Sequence, residues 1–320
     1  MVAKTDAVTL ARKKRLSGDL IFRSLTVLFA LSIIVIIFLM VVEMVKESLP
    51  ALKLFGLKFM TTSTWDAVQE EFGALPFIWG SVVSSILAIL LATPLSVGTA
   101  LFITEIVPRR FGAVIASLVE LLAAIPSVIY GLWGVLIMAP WLQRSVEPFL
   151  IDHFGAIPLF RGAPYGVSML AAIFILMIMI VPIITSITKE VILAVPNSQR
   201  EAAVALGATR WEMIRIAVLP YGKSGILGAV ILGLGRAIGE TMAVTMVIGN
   251  TPRISMSLLD PGYTMPSVIA NEFAEASSNL HSAALMEIGL ILLLVTLIIN
   301  MLARFLLWSI TKGERRGGAI

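Results

Sequence analysis

Arg236 and Glu240 stand four residues apart in "GLGRAIGETMAV" (233–244), inside an otherwise apolar run. A guanidinium and a carboxylate at that spacing share one face of a helix and can pair. A charge at membrane depth costs about 2.5–3.5 kcal/mol on insertion scales, so something must offset it. One use is a self-neutralised pair that fixes helix packing. The other is an anion pathway. Arg presents a planar fork of donors that matches phosphate or carboxylate oxygens. Glu240 holds the cation while the path is empty and yields it when an anion passes. Thr241 and Thr245 add hydroxyls beside them, and Gly235-x-x-x-Gly239 admits a neighbouring helix closely. No catalytic residue is expected. The chain has no Cys, and His153 and His281 lie far apart with no partner at metal-ligand spacing, so no metal site is expected either.

The elements that must position this pair are membrane helices. The 320 residues are 58% hydrophobic and 14% charged, with a mean hydropathy of +0.97. A soluble domain carries roughly 25% charge, so this composition excludes a water-soluble globular chain. Six apolar stretches are long enough to span the bilayer, at 20–42, 76–104, 113–140, 166–188, 224–249 and 283–309. Pro94 and Pro126 are expected to kink the second and third. The first stretch follows "ARKKRLSGD" but is longer than a signal-peptide core and lacks a small-x-small cleavage site, so it reads as a retained span.

The expected organisation is a tail at 1–19, a first span at 20–42, an outer segment at 43–75, a core at 76–309 and a tail at 310–320. Fifteen of the 24 Lys and Arg fall in the two tails and in the loops after the second and fourth stretches. That asymmetry puts both termini in the cytoplasm and makes membrane orientation, not nucleic-acid binding, the use of the net charge of +4. The outer loops are too short to hide a catalytic domain, and no internal repeat is evident.

The loop "PNSQREAAVALGATRWEMIRIAVLP" (196–220) carries its own helical signals. Ser198-x-x-Glu201 and Thr209-x-x-Glu212 each fit a capping box. Gly207 suits the left-handed position that ends a helix. Ala202, Ala205 and Leu206 then share a face of small residues against which another protein can pack. Residues 217–224, "AVLPYGKS", loosely fit a phosphate-cradling loop. They lack its first Gly, contain Pro220 and lead into a span, so no phosphate is expected there.

"EAAVALGATRWEMIRIAVLP" resembles the EAA motif of ABC importer permeases, through Glu201, Ala202, Ala203, Gly207, Leu219 and Pro220. "GLGRAIGETMAVTMVIGN", "ELLAAIPSVIYGLWG", "NEFAEASSNLHSAALMEIGL" and the "TSTWD…FGALPFIWGS" entry to the second span are similar to the permeases of phosphate importers, the PstC type. The resemblance implies an all-α membrane protein with six transmembrane helices, the type I ABC importer permease fold, in a bacterial inner membrane. It makes Ser198, Glu201, Ala202, Ala203, Leu206 and Gly207 the coupling surface for a separate ATPase. It associates Arg236 and Glu240 with phosphate passage, and Thr241 is expected on the same path from its position beside them. Glu120 is expected to be structural. The implied partners are a homologous permease of the PstA type, an ATPase dimer of the PstB type that holds ATP and Mg, and a periplasmic phosphate-binding protein of the PstS type. No cofactor is expected on this chain. Permeases for sulfate, molybdate or phosphonate share the architecture, and a channel or secondary transporter is the alternative without an ATPase.

Overall fold

A computed structural model describes the backbone of residues 2–317 and the side chains of residues 19–309, except Arg109 and Leu306. The basic side chains of both tails lie outside the described residues.

The first helix, α1 (Val2–Phe55), runs well past the expected span. Much of the expected 43–75 segment is therefore helical. Gly56, at φ +53, stops the helix. A 3₁₀ turn (Gly56–Met60) and a two-residue antiparallel hairpin follow, pairing Trp65 with Phe72. Helix α2 (Leu75–Ile106) continues through Pro94. After it come α3 (Arg109–Ala123), α4 (Ser127–Phe154) and α5 (Met169–Leu193). Then follow α6 (Asn197–Ala205), α7 (Arg210–Ile238) and α8 (Met242–Val247). The last are α9 (Met265–Glu272) and α10 (Asn279–Gly317). Among the described residues α1, α2, α5, α7 and α10 are long and apolar enough to cross a membrane, and α3 with α4 supplies a sixth if counted as one broken span.

Two expected spans are discontinuous. The stretch 113–140 divides at Pro126, and the axes of α3 and α4 differ by 89°. Pro126 is itself extended (φ −58, ψ 139), the conformation its ring favours, so α4 starts afresh after it. The stretch 224–249 ends its first helix at Ile238 and resumes at Met242.

Helix α5 is the axle of the bundle. Ile175, Ile180 and Ile184 are fully buried on it, against Ala88 and Ala92 of α2 and Ala229 of α7. Lipid is as apolar as these side chains, so close packing rather than water exclusion holds the helices together. At one end Phe59, Phe72, Phe77, Tyr263 and Met265 form a second core. At the other, Leu101, Ile192, Val195, Met213 and Ile214 form a third, on which α6 rests. Helix α1 packs on α10 through its second half, where Met44 lies against Gly289. Every described side chain from Asp19 to Met40 is exposed.

Candidate functional site

The break in the fifth expected span falls between Arg236 and Glu240. Arg236 occupies the last turn of its helix, and Glu240 precedes α8. The backbone ends created by the break suit both charges. A cation is stabilised at a helix C-terminus and an anion at an N-terminus. Glu240 is 5% exposed, and its Oε1 accepts the Ala243 N–H at 3.2 Å. Its Oε2 lies 3.7 Å from Arg236 Nη2, an ion-pair contact too long for a hydrogen bond. The pair therefore exists, but the reason differs from the expected one. Glu240 lies outside the helix that carries Arg236, so no shared helical face sets the distance.

Arg236 is half-exposed, with 44% of its side chain accessible. No hydrogen bond within the chain is formed by its guanidinium among the described residues, so its fork of donors faces outward. Thr241 and Thr245 are beside it, but their hydroxyls donate to the Gly239 and Thr241 carbonyls. Gly235 and Gly239 admit no helix of this chain: no atom of another element lies within 4 Å of a Cβ built at either. That face of α7 is uncovered. The close approaches are elsewhere, at Gly225 against Val191 and Gly233 against Ile184. Residues 217–224 are helical, so no loop is present there to cradle a phosphate.

The second feature is α6. Pro196, extended at φ −58 and ψ 139, precedes it, and the helix begins at once with Asn197. Ser198 is therefore already helical and makes no capping bond, which corrects the expected Ser198–Glu201 box. A cap needs a non-helical residue. The second box forms: Thr209 N–H donates to Glu212 Oε2 at 2.8 Å, and Glu212 N–H to Thr209 Oγ1 at 3.3 Å. Gly207 adopts φ +85 between the two helices. Ala203 is buried against the third core. Ser198, Glu201, Ala202, Ala205, Leu206 and Gly207 are exposed, as are Val204 and Trp211, so α6 turns a small-residue and apolar surface outward.

Several polar residues that hold this arrangement, Glu120 apart, were not identified from sequence. Arg200 on α6 reaches Glu105 at the end of α2, with Nη2 to Oε1 at 2.9 Å. The same guanidinium donates to the Ile192 carbonyl at 2.8 Å and to the Val195 carbonyl. One side chain thus ties α6 to the ends of α2 and α5. Lys189 bridges Glu120 of α3 at 2.8 Å and Glu190 at 3.1 Å. At the opposite end Glu147 is fully buried and accepts the Gly166 N–H at 2.8 Å and the Ser168 hydroxyl at 3.1 Å, fixing the approach to α5. Glu147 stands in the mixed stretch "QRSVEPFLID" outside the apolar runs, so no local signal marked it.

Residues 92–312 match the family described as binding-protein-dependent transport system inner membrane component. A protein of Mesorhizobium japonicum named phosphate transport system permease protein PstC is 47% identical, over 94% of this chain and 92% of its own length. The protein of that name from Pasteurella multocida is 42% identical over 93% and 94%. PstC 2 of Mycobacterium tuberculosis is 38% identical over 90% and 91%. Among solved structures, a chain of a bacterial alginate ABC transporter in complex with its alginate-bound periplasmic protein superposes with a TM-score of 0.59 at 20% identity, covering 89% of this chain and 95% of that one. A chain of the inward-facing MetNI methionine transporter gives 0.54 at 15% identity, covering 73% and 94%. At such identities these two structures speak to fold alone. The overall fold is thus shared with ABC importer permeases, and this chain is a member of the binding-protein-dependent transport system inner membrane component family.

Proposed function

We propose that this chain is the permease subunit of an ATP-driven importer of inorganic phosphate, forming one half of a pathway completed by a homologous permease of the PstA type. The observation that carries the reading is Arg236, a half-exposed guanidinium in the last turn of a broken span, 3.7 Å from a buried carboxylate and without a hydrogen bond to it. The name shared by relatives at 38–47% identity over about nine-tenths of the chain supports phosphate as the anion.

In this reading the α6 end faces the cytoplasm, with both termini on that side. The exposed face of α6 seats on one subunit of an ATPase dimer of the PstB type. ATP and Mg are held by that dimer. A periplasmic phosphate-binding protein of the PstS type delivers the anion at the opposite end. ATP binding closes the ATPases, draws the coupling segments together and favours the outward-open bundle, and hydrolysis resets it. Arg200 and Glu105 carry the displacement of α6 to α2 and α5. Arg236 then offers parallel N–H donors to phosphate oxygens, and Glu240 keeps that binding weak enough to release.

The test is uptake of labelled phosphate and labelled sulfate by cells lacking this gene, complemented with wild type or Arg236→Gln at equal membrane levels. Restoration of phosphate uptake by wild type and background uptake with Arg236→Gln is expected. Normal transport by Arg236→Gln would make the pair structural. Restoration of sulfate and not phosphate would keep the architecture and reject the substrate.

A further inference from the structure

A second intramembrane carboxylate has no place in the mechanism above. Glu287, on α10, is 5% exposed, and its Oε2 has no hydrogen-bond partner. It takes part in none of the ion pairs among the described residues. It borders a cavity of about 180 Å³ between α1 and α10, next to Ser48, Leu52, Gly56, Leu57 and Leu294. Ser48 is buried, but its hydroxyl donates to the Val45 carbonyl and is not offered to the acid.

The cavity has a direction. Leu52, Leu57 and Leu294 on its wall are 43%, 84% and 45% exposed, whereas Ser48, Ile291 and Glu287 are buried. It therefore opens on the chain's apolar outer surface where α1 ends at Gly56, and its buried wall is the one that holds the carboxylate. Glu287 lies eight residues into α10, about 12 Å from its first residue at 1.5 Å per residue. That is near the start of the last apolar stretch, 283–309, at the end opposite α6.

An ionised carboxylate in such walls costs several kcal/mol unless a partner is supplied. Water is poorly suited, because an ordered water needs two to four polar partners and the walls offer little beyond Glu287 itself. A primary ammonium suits it well. It brings the opposite charge and three N–H donors. The volume is about six times the ~30 Å³ share of a liquid water, enough for a short aminoethyl arm. Acyl chains attached to that arm would lie along Leu52, Leu57 and Leu294. We propose that the cavity at Glu287 binds the primary ammonium of a phospholipid headgroup, an ethanolamine lipid. A choline headgroup has no N–H to donate, and a glycerol headgroup brings no cation.

The full-length chain is reconstituted in nanodiscs containing ethanolamine, choline and glycerol phospholipids in equal amounts. Lipid retained after detergent extraction is counted by native mass spectrometry. Wild type is expected to retain the ethanolamine lipid about tenfold over the choline lipid, the scale of one hydrogen bond to a charged group. Glu287→Gln should abolish the preference. Leu52→Trp, which narrows the mouth and leaves the acid in place, should do the same and covers the case in which Glu287→Gln does not fold. Equal retention of all three lipids by wild type, or an unchanged preference in Leu52→Trp, would overturn the proposal. Displacement of the lipid by millimolar free ethanolamine would also overturn it, since the site would then recognise an amine without its lipid.

Discussion

Arg200 and Glu105, 95 residues apart in sequence, meet in a nearly buried ion pair that joins α6 to the end of α2. Their side chains are 18% and 9% exposed. Removing one partner leaves the other charge uncompensated. Arg200→Ala is expected to destabilise the chain by about 3 kcal/mol, the low end for a broken buried pair, and to uncouple ATP hydrolysis from uptake. The double variant Arg200→Ala/Glu105→Gln should recover part of the stability and none of the coupling. Thermal unfolding and transport by the assembled complex read the two effects separately. Unaltered coupling in Arg200→Ala would remove this residue from the transmission path.

Glu240 has two jobs at once, and substitution can separate them. Glu240→Gln keeps an oxygen to accept the Ala243 N–H and removes the charge beside Arg236. Phosphate should then bind more tightly and leave more slowly, so KM and the maximal uptake rate both fall. Glu240→Ala also loses the hydrogen bond from the Ala243 N–H, at a cost of about 1 kcal/mol. Kinetics of uptake at equal membrane levels decide the matter. A raised KM in Glu240→Gln would contradict the assigned role.

Gly207 and Gly225 are predicted to fail for different reasons. Gly207 has φ +85 and open space around it. Gly207→Ala therefore suffers only the left-handed conformational penalty, about 1 kcal/mol. Its expected effect is a loosened turn between α6 and α7, seen as weaker copurification of the ATPase. Gly225→Val would drive a side chain into Val191, whose Cγ2 already lies 2.5 Å from a built Cβ. Loss of folded protein in the membrane is expected, and normal accumulation of Gly225→Val would show that α5 and α7 can separate at this point.

Glu147 is predicted to be an anchor without a transport role. Glu147→Ala strands the Gly166 N–H and the Ser168 hydroxyl, costing about 2–6 kcal/mol at 1–3 kcal/mol for each orphaned group. Glu147→Gln keeps one oxygen to accept the Gly166 N–H and turns its amide N–H2 towards the Ser168 hydroxyl, which can accept it, so it should lose less than half of that. Melting temperatures of the purified chain check the ranking, and equal losses in the two variants would contradict it.

The second half of the 196–220 segment was legible because its signals are local. Thr209, Gly207 and Glu212 each act within four residues of themselves, and sequence spacing reports such contacts directly. The first half was misread for an equally local reason: Pro196 starts the helix so early that Ser198 is already inside it. The break at Gly239 was not legible. Apolar periodicity continues on both sides of it, and glycine is common in membrane helices. Arg236 and Glu240 were found as charges in an apolar run, but their geometry needed the break. Arg200 with Glu105 could not be seen at all, since nothing local links residues so far apart. Pro126 was expected to bend a span, yet 89° amounts to two separate helices.

The described side chains of α1 from Asp19 to Met40 are all exposed, and its span has a mean hydropathy of 3.2 against 1.5 for α7. During biosynthesis the two segments therefore face opposite problems. The first can partition from the translocon into lipid alone, before any neighbour has been synthesised. The fifth arrives with Arg236 and little apolar margin, and it becomes stable only beside α5. Fused singly to a topology reporter, α1 is expected to insert efficiently and α7 poorly, with α7 rescued when α5 precedes it. Integration of this chain is thus expected to begin with an independent anchor and to end with helices that enter as a group.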